Sequence, residues 1–197
     1  MSAGGAGRAG SKQAGKLRML PVDKLRNRLR LTPQQQDLVR DARGPAELLA
    51  LLRQHDLMEP SIALLSYALP EREAVWWACM CVLHTAPVAQ PTEQQRALAL
   101  AQDWVRTPTE EKRRQGPAAA REAGYTSAAA FTARAVFASR LADPSSLHAG
   151  RRVEGAIRRA ADDDGSGRGQ ARRQRFIASA LEIAAGGAGR LPPEGDE

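Results

Sequence analysis

The longest unbroken apolar run, Ala74 to Leu83, follows Pro70-Glu71-Arg72-Glu73 and contains no strongly polar side chain. Proline at the start and acidic groups facing the positive end of the dipole predict a helix from Pro70 to His84. At 100° per residue, Trp76, Cys79, Met80 and Leu83 share one face, while Ala74, Trp77, Ala78 and Cys81 share another. A helix apolar on all sides is enclosed by other helices. The run falls well short of the roughly 20 residues that a membrane span needs. It is therefore expected to be the central core helix, with Trp76, Trp77, Cys79 and Met80 buried.

Helical periodicity recurs on both sides of it. Gly44-Pro45 opens a helix over 46–57 with Leu48, Leu49, Leu51, Leu52 and Leu57 on a broad apolar face. Pro60 starts a second over 61–69, and the prolines at 45, 60 and 70 act as helix starters. Thr92 is the expected cap of 93–105, whose inward stripe is Leu98, Ala101, Trp104 and Val105. Thr107-Pro108-Thr109-Glu110 reads as a capping box with Thr107 at the cap, and Gly116-Pro117 is expected to break the helix that follows. Thr126 or Ser127 precedes an Ala-rich helix over 128–141 with Phe131, Ala135, Val136 and Phe137 facing in. Val153 to Ala161 and Arg172 to Ala185 complete the set, the latter burying Phe176, Ile177, Ala180, Leu181 and Ala184. No stretch alternates as a strand does, β-branched residues are scarce, and no repeat of 20–50 residues is present. The expected fold is all-α: a compact array of seven to eight short helices over residues 44–187.

Charge divides the chain. Residues 1–43 hold ten Lys/Arg against three Asp/Glu, so the whole net charge of +7 lies there; the remainder holds nineteen of each. The Gly/Ala-rich start cannot bury enough apolar area to order itself. Residues 1–43 are expected to be a largely disordered basic arm, and 188–197 a disordered tail. Within the arm, Leu17, Arg18, Leu25, Arg26, Arg28 and Leu29 form a short basic amphipathic segment. Read functionally it docks on an acidic protein partner or an anionic surface, and the alternative reading is a solvated arm.

Candidate chemistry is sparse. Cys79-x-Cys81-x-x-His84 is the one metal-like spacing, but Cys79 points about 200° from Cys81 and a structural zinc needs about four ligands. Asp162-Asp163-Asp164-Gly165 lacks the ligand alternation of a calcium loop. Gly165-Ser166-Gly167-Arg168-Gly169 lacks the Lys-Ser/Thr of a phosphate loop. Glu71, Arg72 and Glu73 read as helix-start electrostatics. No catalytic residue, metal or cofactor is expected. Lys112-Arg113-Arg114, Arg151-Arg152, Arg158-Arg159 and Arg172-Arg173-Gln174-Arg175 are able to neutralise phosphates, but the chain has only eight aromatic residues for base stacking. Nucleic acid is thus the second expectation after a protein partner. Free core thiols and the lack of an apolar run near the start point to a cytoplasmic protein.

Pro70 to Cys79, P-E-R-E-A-V-W-W-A-C, resembles the signature of an uncharacterised bacterial helical domain family. Trp104-Val105 with Pro108, the Phe131–Ser139 helix, and Phe176 to Gly187 continue the resemblance in order, covering about Pro45 to Gly187. Where family members often carry a Ser-Gly-Gly turn, this chain reads Ser139-Arg140-Leu141. The resemblance implies a non-enzymatic bacterial accessory protein, adaptor- or chaperone-like, associated with secretion systems. It brings no catalytic residues.

Overall fold

The computed structural model describes residues 15–87, 89–143, 145–162 and 167–195. Its elements are ten helices: α1 Val22–Arg26, α2 Pro33–Leu38, α3 Pro45–Gln54, α4 Met58–Ala68, α5 Glu71–His84, α6 Thr92–Arg106, α7 Glu110–Glu122, α8 Ala128–Ala138, α9 Gly150–Ala161 and α10 Gly169–Ala184. No strand occurs among the described residues. The all-α expectation holds.

The Trp-Trp helix is the centre. α4, α6, α8, α9 and α10 all border α5. Val75, Trp77, Ala78, Cys79 and Cys81 are completely buried, as are Trp104 and Phe176 of neighbouring helices. Trp77 satisfies its indole by donating from Nε1 to the Phe176 carbonyl of α10 at 2.9 Å, as a buried Trp must. Met80 is buried too. Only the stripe Arg72, Glu73, Trp76 and Leu83 is less than fully enclosed. Trp76 and Phe131, expected in the core, therefore sit half-buried at its edge.

Several local expectations are corrected. α7 runs unbroken through Gly116-Pro117. A proline mid-helix costs about 3 kcal/mol, yet glycine before it removes the Cβ that would clash with the ring. Gly116 also lies against α8, where a Cβ would fall 2.6 Å from the Ala133 carbonyl oxygen. The cap of α7 is Thr109, whose hydroxyl accepts from Lys112 N at 3.3 Å, not Thr107. α6 starts at Thr92 itself, capped by Pro91 without a side-chain bond. α8 ends at Ala138, and its Phe137 points outward, 41% exposed.

The larger correction concerns both ends. The disorder expected for 1–14 lies outside the described residues, but 15–43 are packed onto the helical body. Leu25 is fully buried, and Leu20, Leu29, Leu31, Val39 and Ala42 join the same core. α1 packs on α3 and α4. α2 is held by a capping box in which Thr32 Oγ1 accepts from Gln35 N (3.2 Å) and Gln35 Oε1 from Thr32 N (3.1 Å). Arg26 gathers the carbonyls of Val39, Arg40 and Ala42 at 3.0, 2.7 and 2.7 Å. Residues 188–195 likewise lie on α5 and α10, with Leu191 half-buried against the core.

Replacing Leu25 by Ala is expected to lower stability by about 2–5 kcal/mol, and Trp77→Ala by about 3–5 kcal/mol. Denaturant unfolding followed by circular dichroism measures both. An unchanged midpoint for Leu25→Ala would mean that 15–43 is a detachable arm after all.

Candidate anion-binding cleft

The amphipathic pattern that buries Val153, Ala156 and Ile157 of α9 leaves Arg151 toward solvent and Arg152 part-buried at its first turn. Basic residues there oppose the helix dipole, and no acidic residue occupies that turn. The two arginines look onto an open cleft of about 1070 Å³ between α1, α7, α8, α9 and the 139–148 connection. Lys24, Arg28, Arg134 and Arg140 line it as well, with His148 and one carboxylate, Asp143. Tyr125 and Phe137 supply exposed aromatic surface.

The cations of this cleft are uncompensated. Among the described residues, none of Lys24, Arg28, Arg134, Arg140, Arg151 and Arg152 forms a salt bridge. Asp143 is already engaged, accepting from Ser145 N at 2.9 Å and Ser145 Oγ at 2.7 Å. Those bonds, with the charges of Arg18 and His148, hold its carboxyl below the usual range. Burial, then repulsion from Arg134 and Arg151, lowers the Arg152 guanidinium from its ordinary value. Arg134 is steadied from one side by the Phe131 ring, 5.1 Å from its centroid; Arg159 covers the same ring at 3.9 Å.

The other basic clusters contain carboxylate partners. Lys112 pairs with Asp103 at 2.9 Å, and Arg113 and Arg114 share Glu110, whose carboxyl they pull down to about 2. Arg158 reaches Glu59 and Glu154; Arg159 donates to the Thr126 carbonyl. Arg172 and Arg175 lie on Glu194, and Arg173 on Glu59. Of these runs, Arg151-Arg152 is the one in which no cation meets a carboxylate among the described residues.

The six arm residues divide in the same way. Leu25 and Leu29 are buried, and Leu17 is half-buried against the core, so no apolar strip is left to dock a partner. Arg26 is tied to carbonyls, and Arg18 donates to the Ser146 carbonyl at 2.7 Å and that of Tyr67 at 3.4 Å. Arg28 alone remains presented, with Lys24, on the cleft wall. The arm expectation is thus corrected: its cations reach a surface through the fold rather than as a free segment.

The floor of the cleft is held by a residue the sequence offered only as a helix starter. Glu71 is buried; its carboxylate accepts from Arg140 N and, at 3.0 Å, from Ser146 Oγ. It pins both ends of the connection that carries Arg140 and Asp143. Next to it, Arg72 donates to the carbonyls of Val105 (2.5 Å) and Arg106 (3.2 Å), closing the end of α6. Its position beside Pro70 was the only signal.

The thiols take no part. Burial pushes Cys79 up to about 12 and raises Cys81 well above its ordinary value, which leaves both as core packing. His84 Nδ1 meets the Pro192 carbonyl rather than a thiol. Among the described residues no three His, Cys, Asp or Glu side chains gather as a metal site. Residues 163–166, which include three of the four acidic-motif residues and the first two of the Gly-rich run, lie outside the described residues. No helix among the described residues is long and apolar enough to cross a membrane.

Glu71→Gln keeps the shape but removes the charge from two hydrogen bonds, each worth about 1.5–3 kcal/mol when charge-assisted. It is expected to lower stability by about 1–3 kcal/mol and to broaden the amide resonances of residues 139–146 while sparing those of α10. Two-dimensional NMR of the variant checks this; unchanged spectra would remove Glu71 from the cleft floor.

No curated protein and no solved structure matches the chain. Residues 48–184, from α3 to the end of α10, match the model of a family of unknown function, DUF6931, and the chain belongs to that family.

Proposed function

We propose that the protein acts by binding rather than by catalysis, as an adaptor-like accessory of a bacterial multiprotein assembly of the secretion type. Its cleft receives an acidic segment of a protein partner. The observation that carries this reading is the set of six unpaired cations around one occupied carboxylate. Mutual repulsion among fixed guanidinium groups is relieved when carboxylates enter, and such charge-assisted, bidentate contacts are the strong ones. Tyr125 and Phe137 add apolar area beside the charges, which favours a segment mixing acidic and apolar side chains.

A second reading, single-stranded nucleic acid, is favoured by those same two exposed aromatics, since bases stack on such rings beside a basic groove. The protein reading is preferred because six unpaired cations gather at one cleft, while each of the other basic runs includes carboxylate partners.

Fluorescence anisotropy separates the two. A labelled peptide of alternating Glu and Leu is expected to bind, and Arg151→Glu with Arg152→Glu to weaken it by at least about tenfold, or 1.4 kcal/mol. A labelled oligothymidine is expected to bind weakly and to be lost as salt rises. Tight oligothymidine binding at physiological salt, abolished by the same double variant, would establish the nucleic-acid reading instead. Indifference of both probes to the double variant would remove the cleft from either.

A further inference from the structure

Beyond the cleft, on the far flank of α5, residues 188–195 form a strap held by fixed donors and one charge cluster. Trp76 Nε1 donates to the Ala188 carbonyl at 2.7 Å, and Ser179 Oγ to that of Gly189 at 2.6 Å. Glu194 N donates to the His84 carbonyl at 2.6 Å. The Glu194 carboxylate meets Arg172 at 2.6 and 2.9 Å, with Arg168 at 3.6 Å and Arg175 at 3.7 Å. Hydrogen bonds from Arg172 hold its carboxyl below the usual range.

Donors aimed at main-chain carbonyls read an extended backbone, and side-chain pockets read sequence. Three positions here are selective. Gly189 has φ +56°, and a Cβ there would collide with the Ile183 side chain and lie 2.7 Å from the Ser179 carbonyl oxygen. Leu191 is half-buried against the core, and Pro192-Pro193 presets an extended path to Glu194. One group is left over: His84 is 3% exposed, yet its Nε2 makes no hydrogen bond and stops 4.0 Å from Glu194 Oε1. An unsatisfied buried nitrogen facing a carboxylate that falls short of it marks a site its resident fills incompletely.

We propose that this groove is a receptor for an extended Gly-x-Leu-Pro-Pro-Glu segment of a partner protein, and that the strap is its resident, displaceable occupant. The attachment suits displacement, since the strap follows Gly186 (φ +97°) and Gly187 and belongs to no helix, and segments with few buried apolar contacts open at low cost. Tethering gives the resident an effective concentration of about millimolar, so an outside segment succeeds by making a better anchor at His84 or when the resident anchor is weakened.

The full chain is tested with a labelled peptide of residues 188–195, read by anisotropy and by the emission of Trp76. Glu194→Ala is expected to bind the peptide at least about tenfold more tightly than the wild type, because its own strap competes less. The peptide whose Glu194 is replaced by Ala should lose at least about tenfold, and adding Arg172→Gln to the chain should abolish binding. Glu194→Gln, which keeps the strap's shape, gives an intermediate affinity and serves if the alanine variant is poorly folded. No binding by either variant up to about millimolar peptide, or equal binding of both peptides, would overturn the proposal. Neither outcome touches the cleft, whose residues are unchanged in every variant.

Discussion

Everything in this fold answers to one constraint: α5 is apolar on almost every side and must be enclosed. Five helices around a 14-residue helix accomplish this only if their ends are held in register. The polar atoms of the same short motif do that. Glu71 reaches the connection between α8 and α9, Arg72 closes α6, Trp77 ties to α10 and Trp76 to the strap. The P-E-R-E-A-V-W-W-A-C segment is therefore a clasp, with its apolar face filling the core and its polar atoms setting the positions of the surrounding elements. Glu71 and Arg72 both direct hydrogen bonds into the fold.

The same logic distributes charge. The sequence places all the excess positive charge before Gly44, yet folding sorts cations by what stands near them. Arg18 and Arg26 end on backbone carbonyls, while Lys24 and Arg28 join Arg134, Arg140, Arg151 and Arg152 around the cleft. Charge that looks like a tail in one dimension becomes one wall of a concave surface in three. Since Glu71 fixes the connection that carries Arg140, the core clasp and the binding surface are mechanically one unit.

Most of the helices were legible because their signals are local: apolar periodicity, prolines at starts and glycines at ends. Trp77, Cys79, Met80, Trp104 and Phe176 fell where a 3.6-residue period puts them. Trp76 and Phe131 did not, because period alone ranks faces without saying which one meets a neighbour; here Trp76 lies at the core's edge with its indole on the strap, and Phe131 lies under two arginines. Phe137 fails for the same reason, at the open end of α8. The packing of 15–43 and 188–195 was illegible in a different way. Leu25 and Leu29 among arginines look like a solvated amphipathic segment until the carbonyls that absorb Arg26 are known, and these lie 13 to 16 residues away. Thr32-Pro33-Gln34-Gln35 was the missed local signal, a capping box with glutamine in the third position. The cleft was half visible: Arg151-Arg152 was singled out, but its distinction from the other basic runs depends in part on Glu59 and Glu194, which are distant in sequence from the arginines they meet.

The central claim, that α5 is the enclosed element on which the rest is assembled, is tested most directly by native-state hydrogen exchange. Amides of Val75 to Val82 are predicted to exchange only through global unfolding, with an opening free energy equal to that from denaturant unfolding of the same chain. The amides of α2 and of the strap should open locally at lower cost. If α5 exchanges by local opening while α7 or α3 carries the highest protection, the account of a core built around this helix is wrong.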